Sequence, residues 1–343
     1  MTGTVDPTGA VDPALAEMMD AVFADYRESH PGGVTRDAAL WRRLDDLGLV
    51  RLTGSEESGG SGAGWYEAAE LLAAAVRHAV RIPLAEHDLL ACWLLQANQM
   101  PADSTVRTVC LLDDRGVADD VPWASSADRI VVVWHTGPEY QLADVAAESL
   151  IITSGTNLIG EPRDTVSADT GVLCGLPVAG QVVATLMLKS ALVRAIQVCA
   201  ALDRIVRLSI EHATSRFQFG RPLSKFQVIQ HLIADIAAEA ALARAATEAA
   251  LTAAVRSDWS APNLDFLVAV ARSCAGQACS VVVRNAHQVH GAMGTTREHR
   301  LHEYTRAALA WRSEFGSVHY WDEQVTHAAL EAGSAGLWSL ITG

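Results

Sequence analysis

Several things are missing from this sequence, and each absence removes a class of function. Basic clusters are absent: 26 Lys and Arg face 40 Asp and Glu, for a net charge of -14. A nucleic-acid surface is therefore not expected, and an anionic ligand has to be held by individual arginines rather than by the overall field. Paired cysteines are absent too. Cys92, Cys110, Cys174, Cys199, Cys274 and Cys279 are scattered, with no C-x-x-C among them, so neither a disulfide framework nor a zinc ribbon is supported. No uninterrupted apolar run reaches about 18 residues, the length a membrane span needs. The start is acidic and contains Pro and Gly, unlike a secretion signal. A reduced, cytoplasmic protein without a membrane span is the expectation. Glycines 59, 60, 62 and 64 lack the G-K-[ST] of a phosphate-cradling loop and read as a loosened connection.

What the chain has in quantity is alanine and apolar residues, which make up half of it and favour helix. A helix is predicted from about Pro13 to Ser29, after a loose tail at 1–12, with Leu15, Met18, Met19, Val22 and Phe23 on one face. His30 to Gly33 breaks it. Leu40, Trp41, Leu44 and Leu47 mark a second helix, with Gly48 as its C-terminal stop. Trp65 to Val80 and Asp88 to Ala97 read as further helices. Between 105 and 185 the character changes: VRTVCLLDD, RIVVVWHT and ESLIITS are β-rich runs bounded by polar turns. From about Val183 the chain turns helical again, over Leu186 to Ser215, Phe226 to Arg256, and a third helix capped by Asn263 and continuing to His287. Long helices this poor in charge pack on several neighbours, as in a four-helix bundle inside an oligomer. The expected division is an N-terminal helical domain at 1–103, a small β-domain at 104–182 and a C-terminal helical bundle at 183–343.

The corner between the two long helices carries the chemistry. In RFQFGRPLSKFQVIQH, Arg216 to His231, Arg216 offers a planar cation suited to phosphate, Gly220 can adopt a positive φ, and Pro222 fixes the next turn. By pattern alone this is a helix–turn–helix corner. The full string resembles the R-x-x-F-G-x-P-x-x-x-F-Q-x-x-Q block in the C-terminal helical domain of flavin-dependent acyl-CoA dehydrogenases. Two further stretches resemble that family. Leu40 to Leu72 has a helix ending in Leu-Gly, an extended piece and a Glu-Glu-x-Gly-Gly loop. Gln288 to Arg306 follows Q-x-x-G-G-x-G-x-x-x-E, with Ala292 replacing the second Gly. The resemblance implies a mostly α fold with a small middle β-domain, and FAD as cofactor. It implies that Arg216, Phe219, Gln227, Gln288, Gly291 and Ala292 contact the adenosine and pyrophosphate of FAD across a subunit interface. His290, His299 and His302 read as surface or interface histidines, with no spacing that favours a metal.

The departures from the family are as informative. The middle segment has a Val-Pro-x-Ala piece at Val121 to Ala124. It lacks the Thr-Glu-Pro-x-x-Gly-Ser-Asp loop and the Trp-Ile-Thr-Asn strand that hold the flavin ring. Counting from Gln288, the family's catalytic Glu falls on Phe315, with Glu314 beside it as a candidate base. Counting back from Arg216, the family's second location for that base falls on Ser190 and Ala191. The pattern resembles the short subunits of actinobacterial α2β2 acyl-CoA dehydrogenases of steroid breakdown. It implies a chain that lends adenosine-side contacts to a full-length, catalytic partner acting on an acyl-CoA, with electron-transfer flavoprotein as acceptor. The alternatives are a self-sufficient homo-oligomeric dehydrogenase using Glu314, and a non-catalytic scaffold that binds CoA esters or protein partners.

Overall fold

A computed structural model describes residues 11–30 and 37–342. The tail expected at 1–12 and the break at His30 to Gly33 lie largely outside the described residues. The chain divides into two compact units, Met1–Lys189 and Ser190–Gly343.

The first unit opens with α1 (Pro13–Ser29), started by the Asp12 carboxylate on the Ala14 amide at 2.8 Å. Its buried residues are Met19, Val22 and Phe23, three of the five apolar positions expected on one face. Helix α2 (Ala38–Asp46) is capped in the same way by Asp37 and stops at Gly48, whose φ of +71° only glycine adopts without strain. Helix α3 is Trp65–Arg77, and its first turn is closed by Glu67 accepting from the Gly64 amide at 2.9 Å. The helix expected at Asp88 to Ala97 starts earlier. Ala85–Cys92 is wound as a π-helix and continues into α4 (Trp93–Ala97).

The widened turn points buried Asp88 at Thr53, whose backbone amide and hydroxyl both donate to one carboxylate oxygen, at 3.0 and 3.1 Å. Burial pushes this carboxyl up to about 7, against the pull of the Thr53 bonds and of Arg51. Between about pH 4 and pH 7 the folded chain keeps a proton here that the unfolded chain has released, so stability falls as pH rises through that window and levels off above it. Asp88→Asn is expected to remove this slope. Urea midpoints of both proteins, measured in steps across the window, check it.

The β-rich segment forms two small sheets within the first unit. Strands β1 (Arg107–Leu111), β3 (Arg129–Thr136), β4 (Glu139–Ala146) and β7 (Leu176–Val178) make one, in that order, with β1 and β3 parallel and the other pairs antiparallel. Strands β2 (Val117–Pro122), β6 (Arg163–Ser167) and β5 (Ile151–Thr153) make the other, all antiparallel. Alternate positions of β3 supply Ile130, Val132 and Trp134 to a core shared with Cys110, Val121, Leu150 and Val166.

Helix α5 (Gly180–Ser215) begins six residues before the expected Leu186, and the division between the units falls inside it. The second unit continues through the short hairpin β8 (Phe217–Gln218) and β9 (Arg221–Pro222), then α6 (Gln227–Arg256) and α7 (Leu264–His290). Helices α8 (Leu301–Trp311) and α9 (Val318–Thr342) complete it. Small residues allow close packing: α6 buries Ala240, Ala243, Ala250 and Ala254, and α7 buries Ala271, Ala275, Gly276 and Ala278. Asn263 precedes α7, but its side chain makes no cap. It donates to the Leu340 carbonyl at 3.1 Å, tying the start of α7 to the end of α9. Helix α5 and the stretch Leu264–Thr295 are long and apolar enough to cross a membrane by length and composition. The qualifying windows are 67% and 50% buried inside the protein, as expected of helices that form a bundle's interior.

Candidate cofactor and catalytic site

The Arg216 corner is a two-residue hairpin. Phe217 pairs with Pro222 and Gln218 with Arg221, leaving Phe219 and Gly220 at the tip with φ of +54° and +80°. Both tip residues lie in the left-handed region, as a type I′ turn demands. Gly220 meets this requirement freely. Phe219 meets it under strain, and its ring is 90% exposed, with Phe226 edge-on at 6.2 Å. Arg221 stacks its guanidinium over Phe226 at 4.1 Å. The Gln230 side chain closes the corner on the Ser224 carbonyl at 2.8 Å.

Arg216 sits at the base of this hairpin. Its amide donates to the His212 carbonyl and its carbonyl accepts from the Leu223 amide, both at 2.9 Å. The exposed guanidinium makes no hydrogen bond or ion pair with the described residues. Gln227 and Gln288 are likewise exposed. At Gly220 and Gly291 an added Cβ would meet nothing within 4 Å, so the backbone lies open at both places. Gly291, at φ +58° and ψ -142°, ends α7 and places Ala292 at the surface.

Sequence-distant parts of this site meet through histidines. His212, one turn before Arg216, stacks on His290, next to Gly291, with ring centroids 4.5 Å apart. Both candidate blocks therefore lie at one end of the second unit. His299 joins them edge-on to His290 at 4.6 Å, while His302 turns away to the His299 carbonyl. His290 is buried, and its pKa is pushed down to about 4, first by burial and then by the neighbouring histidines. His212 and His299 are lowered from the ordinary value by burial as well. The convergence of 212, 290 and 299 has no period in the sequence and appears only in the tertiary structure.

Glu314 and Phe315 lie between α8 and α9. The Glu314 carboxylate accepts from buried Arg194 at 2.6 Å, and Arg194 also donates to Gln197 at 2.6 Å. Arg272, 1% exposed, donates to the carbonyls of Arg312, Glu314 and Gly316 at 3.0, 2.7 and 3.3 Å. Phe315, at φ +53°, stacks on Arg194 at 5.1 Å. None of this was visible in the sequence, because Arg194 is 120 positions from Glu314. In the first unit, Lys189 is buried, with its ammonium 4.7 and 4.4 Å from the ring centroids of Trp65 and Trp93. In the middle segment, Trp123 is buried at φ +61°. The Ser125 and Gly155 amides are spent on the two oxygens of Asp164, at 2.7 and 3.1 Å.

Two small sheets followed in the chain by a helical bundle are the arrangement of the acyl-CoA dehydrogenase fold, shared with solved acyl-CoA dehydrogenase structures. Residues 180–325 match the acyl-CoA dehydrogenase C-terminal domain. It is 29% identical over 281 residues to acyl-CoA dehydrogenase IpdE2 of Mycobacterium tuberculosis, covering 79% of this chain and 80% of that protein. Among solved structures it resembles the ChsE4–ChsE5 complex from Mycobacterium tuberculosis, with a TM-score of 0.82 and 21% identity over 96% of this chain and 100% of the matched one. It also resembles the Tcur3481–Tcur3483 steroid ACAD, with a TM-score of 0.81 and 20% identity over 93% and 97% of the two chains.

FAD is the cofactor of this family. The residues present fit its nucleotide half: an unpaired guanidinium for phosphate, two exposed carboxamides, and open backbone at Gly220 and Gly291.

Proposed function

We propose that this chain is a subunit of an FAD-dependent acyl-CoA dehydrogenase that forms an α,β double bond in an acyl-CoA thioester, and that it serves the adenosine and pyrophosphate half of a flavin whose ring is held by a full-length partner. The observation that carries this reading is the meeting of the Arg216 and Gln288 blocks at one exposed end of the second unit, with the Arg216 guanidinium unspent. In this role Arg216 neutralises a phosphate, Gln227 and Gln288 donate to polar atoms of the nucleotide, and the glycines let backbone approach it. The flavin supplies the hydride acceptor when bound.

The base side supports the same division of labour. Proton abstraction α to a thioester needs a carboxylate free to reach the substrate. Glu314 is instead committed to Arg194, and Phe315, Ser190 and Ala191 fill the other counted positions. In the middle segment the Ser125 and Gly155 amides are spent on Asp164. The domain boundaries at 103 and 182, a heterotetrameric assembly, electron-transfer flavoprotein as acceptor and a cytoplasmic location belong to this proposal. The two-protein naming of both solved structures and the six free cysteines are in keeping with it.

Purification of the chain alone and with candidate full-length subunits tests it. The lone chain is expected to be colourless and the co-purified complex yellow and active with an acyl-CoA and an artificial acceptor. A lone chain carrying one flavin per protomer and turning over the thioester would overturn the proposal.

A further inference from the structure

The three histidines that join the Arg216 and Gln288 blocks also face one another. Among the described residues, His212, His290 and His299 each offer one ring nitrogen, and these atoms all lie within 4.8 Å of one another. They come from α5, the last turn of α7 and the segment before α8. We propose that the three imidazoles bind a divalent transition cation, with Zn2+ the best match, at this end of the second unit.

His290 carries the inference. Its Nδ1 donates to the Ala286 carbonyl at 2.8 Å, which fixes the proton there and leaves the lone pair on Nε2. That Nε2 is buried and has no hydrogen-bond partner among the described residues. A buried acceptor left unpaired is costly, and a bound ion removes the cost. The arrangement is the one metal-ligating histidines use, with the far nitrogen pinned by a backbone carbonyl and the near one presented to the ion. An all-imidazole donor set suits zinc, copper, nickel and cobalt, and is a poor match for magnesium or calcium.

The surroundings tolerate a cation. Arg216 lies close enough to act on His212, and Glu211 close enough to act on His299, so one charge of each sign flanks the cluster. Ligand nitrogens on a tetrahedral zinc stand about 3.4 Å apart, so the rings close in when the ion enters. His299 has the freedom to do so. It sits after the turn Gly291–Thr295, and its Nδ1 now accepts the Leu301 amide at 3.1 Å, a bond it exchanges for the metal if it ligates through that nitrogen. Three protein ligands leave a fourth position for water or an external anion.

The test uses the tag-free, chelator-stripped full-length chain, titrated with Zn2+ and separately with Co2+, in the absence of flavin. The expected result is one equivalent bound per chain, visible d–d bands of tetrahedral Co2+, and a melting midpoint that rises with free zinc. His290→Gln and His299→Gln, shown to be folded by circular dichroism, are each expected to abolish the Co2+ bands. His319→Ala, which removes an exposed His–Glu pair on α9, is expected to keep them. Absence of a bound equivalent in the wild-type chain would overturn the proposal. So would Co2+ bands that survive in both cluster variants, or bands lost only in His319→Ala. Because no flavin is needed, the result is independent of the dehydrogenase assignment.

Discussion

Arg216→Glu is expected to bleach the co-purified complex. The wild-type guanidinium has no hydrogen-bond or ion-pair partner to lose among the described residues, so the substitution leaves the bundle intact and removes only what Arg216 would offer a ligand. Loss of a charge-assisted hydrogen bond is worth about 1.5–3 kcal/mol, which corresponds to an affinity loss on the order of 10- to 100-fold, and a carboxylate facing phosphate adds repulsion. The ratio of flavin absorbance to protein absorbance after gel filtration reads this directly. Arg216→Lys is expected to recover part of the loss, because it restores charge without the bidentate fork. A complex that stays fully yellow with glutamate at 216 would place the nucleotide elsewhere and remove the main support for the proposed role.

Glu314→Gln is expected to fail differently, by unfolding the chain more easily. Glu314 is the counter-charge of Arg194, which is 1% exposed, and it stands in the field of Arg272, equally buried. Burial and the nearby Arg194 already pull Arg272 down to about 10, and Glu314 opposes that pull. Removing one partner from a buried ion pair costs roughly 3–5 kcal/mol, because the other charge stays buried without its counter-charge. A lower urea midpoint at an unchanged denaturant slope is the expected signature. If Glu314 were a catalytic base, the glutamine variant would fold with wild-type stability and lose turnover. The two roles are thus separated by one equilibrium measurement and one rate.

These two residues show how far the sequence could be read. The Arg216 corner was legible because a turn is local: glycine, proline and their spacing state the backbone geometry within a few residues. The strand runs and long helices were legible for the same reason, since period and composition act at short range. Phe219 was half legible. Its place in the motif was plain, but nothing in a phenylalanine announces a positive φ. Arg194 with Glu314, and the three histidines, were not legible at all. Their partners are set by which helix faces which, and no linear spacing encodes that. The π-wound turn at Ala85–Cys92 was also missed; its buried Asp88 bonds Thr53 thirty-five positions away, a contact no local pattern states.

The hairpin tip carries one more implication, for supply within the cell. Phe217 and Phe219 are exposed at 62% and 90%, and Val228, just beyond the turn, at 70%. Apolar groups held out to water in a strained turn are adhesive until something covers them. If the proposed partner is that cover, a cell making this polypeptide in excess of it would accumulate molecules prone to clump or be degraded. Under the proposed pairing with a full-length subunit, balanced synthesis of the two is part of what this small turn demands.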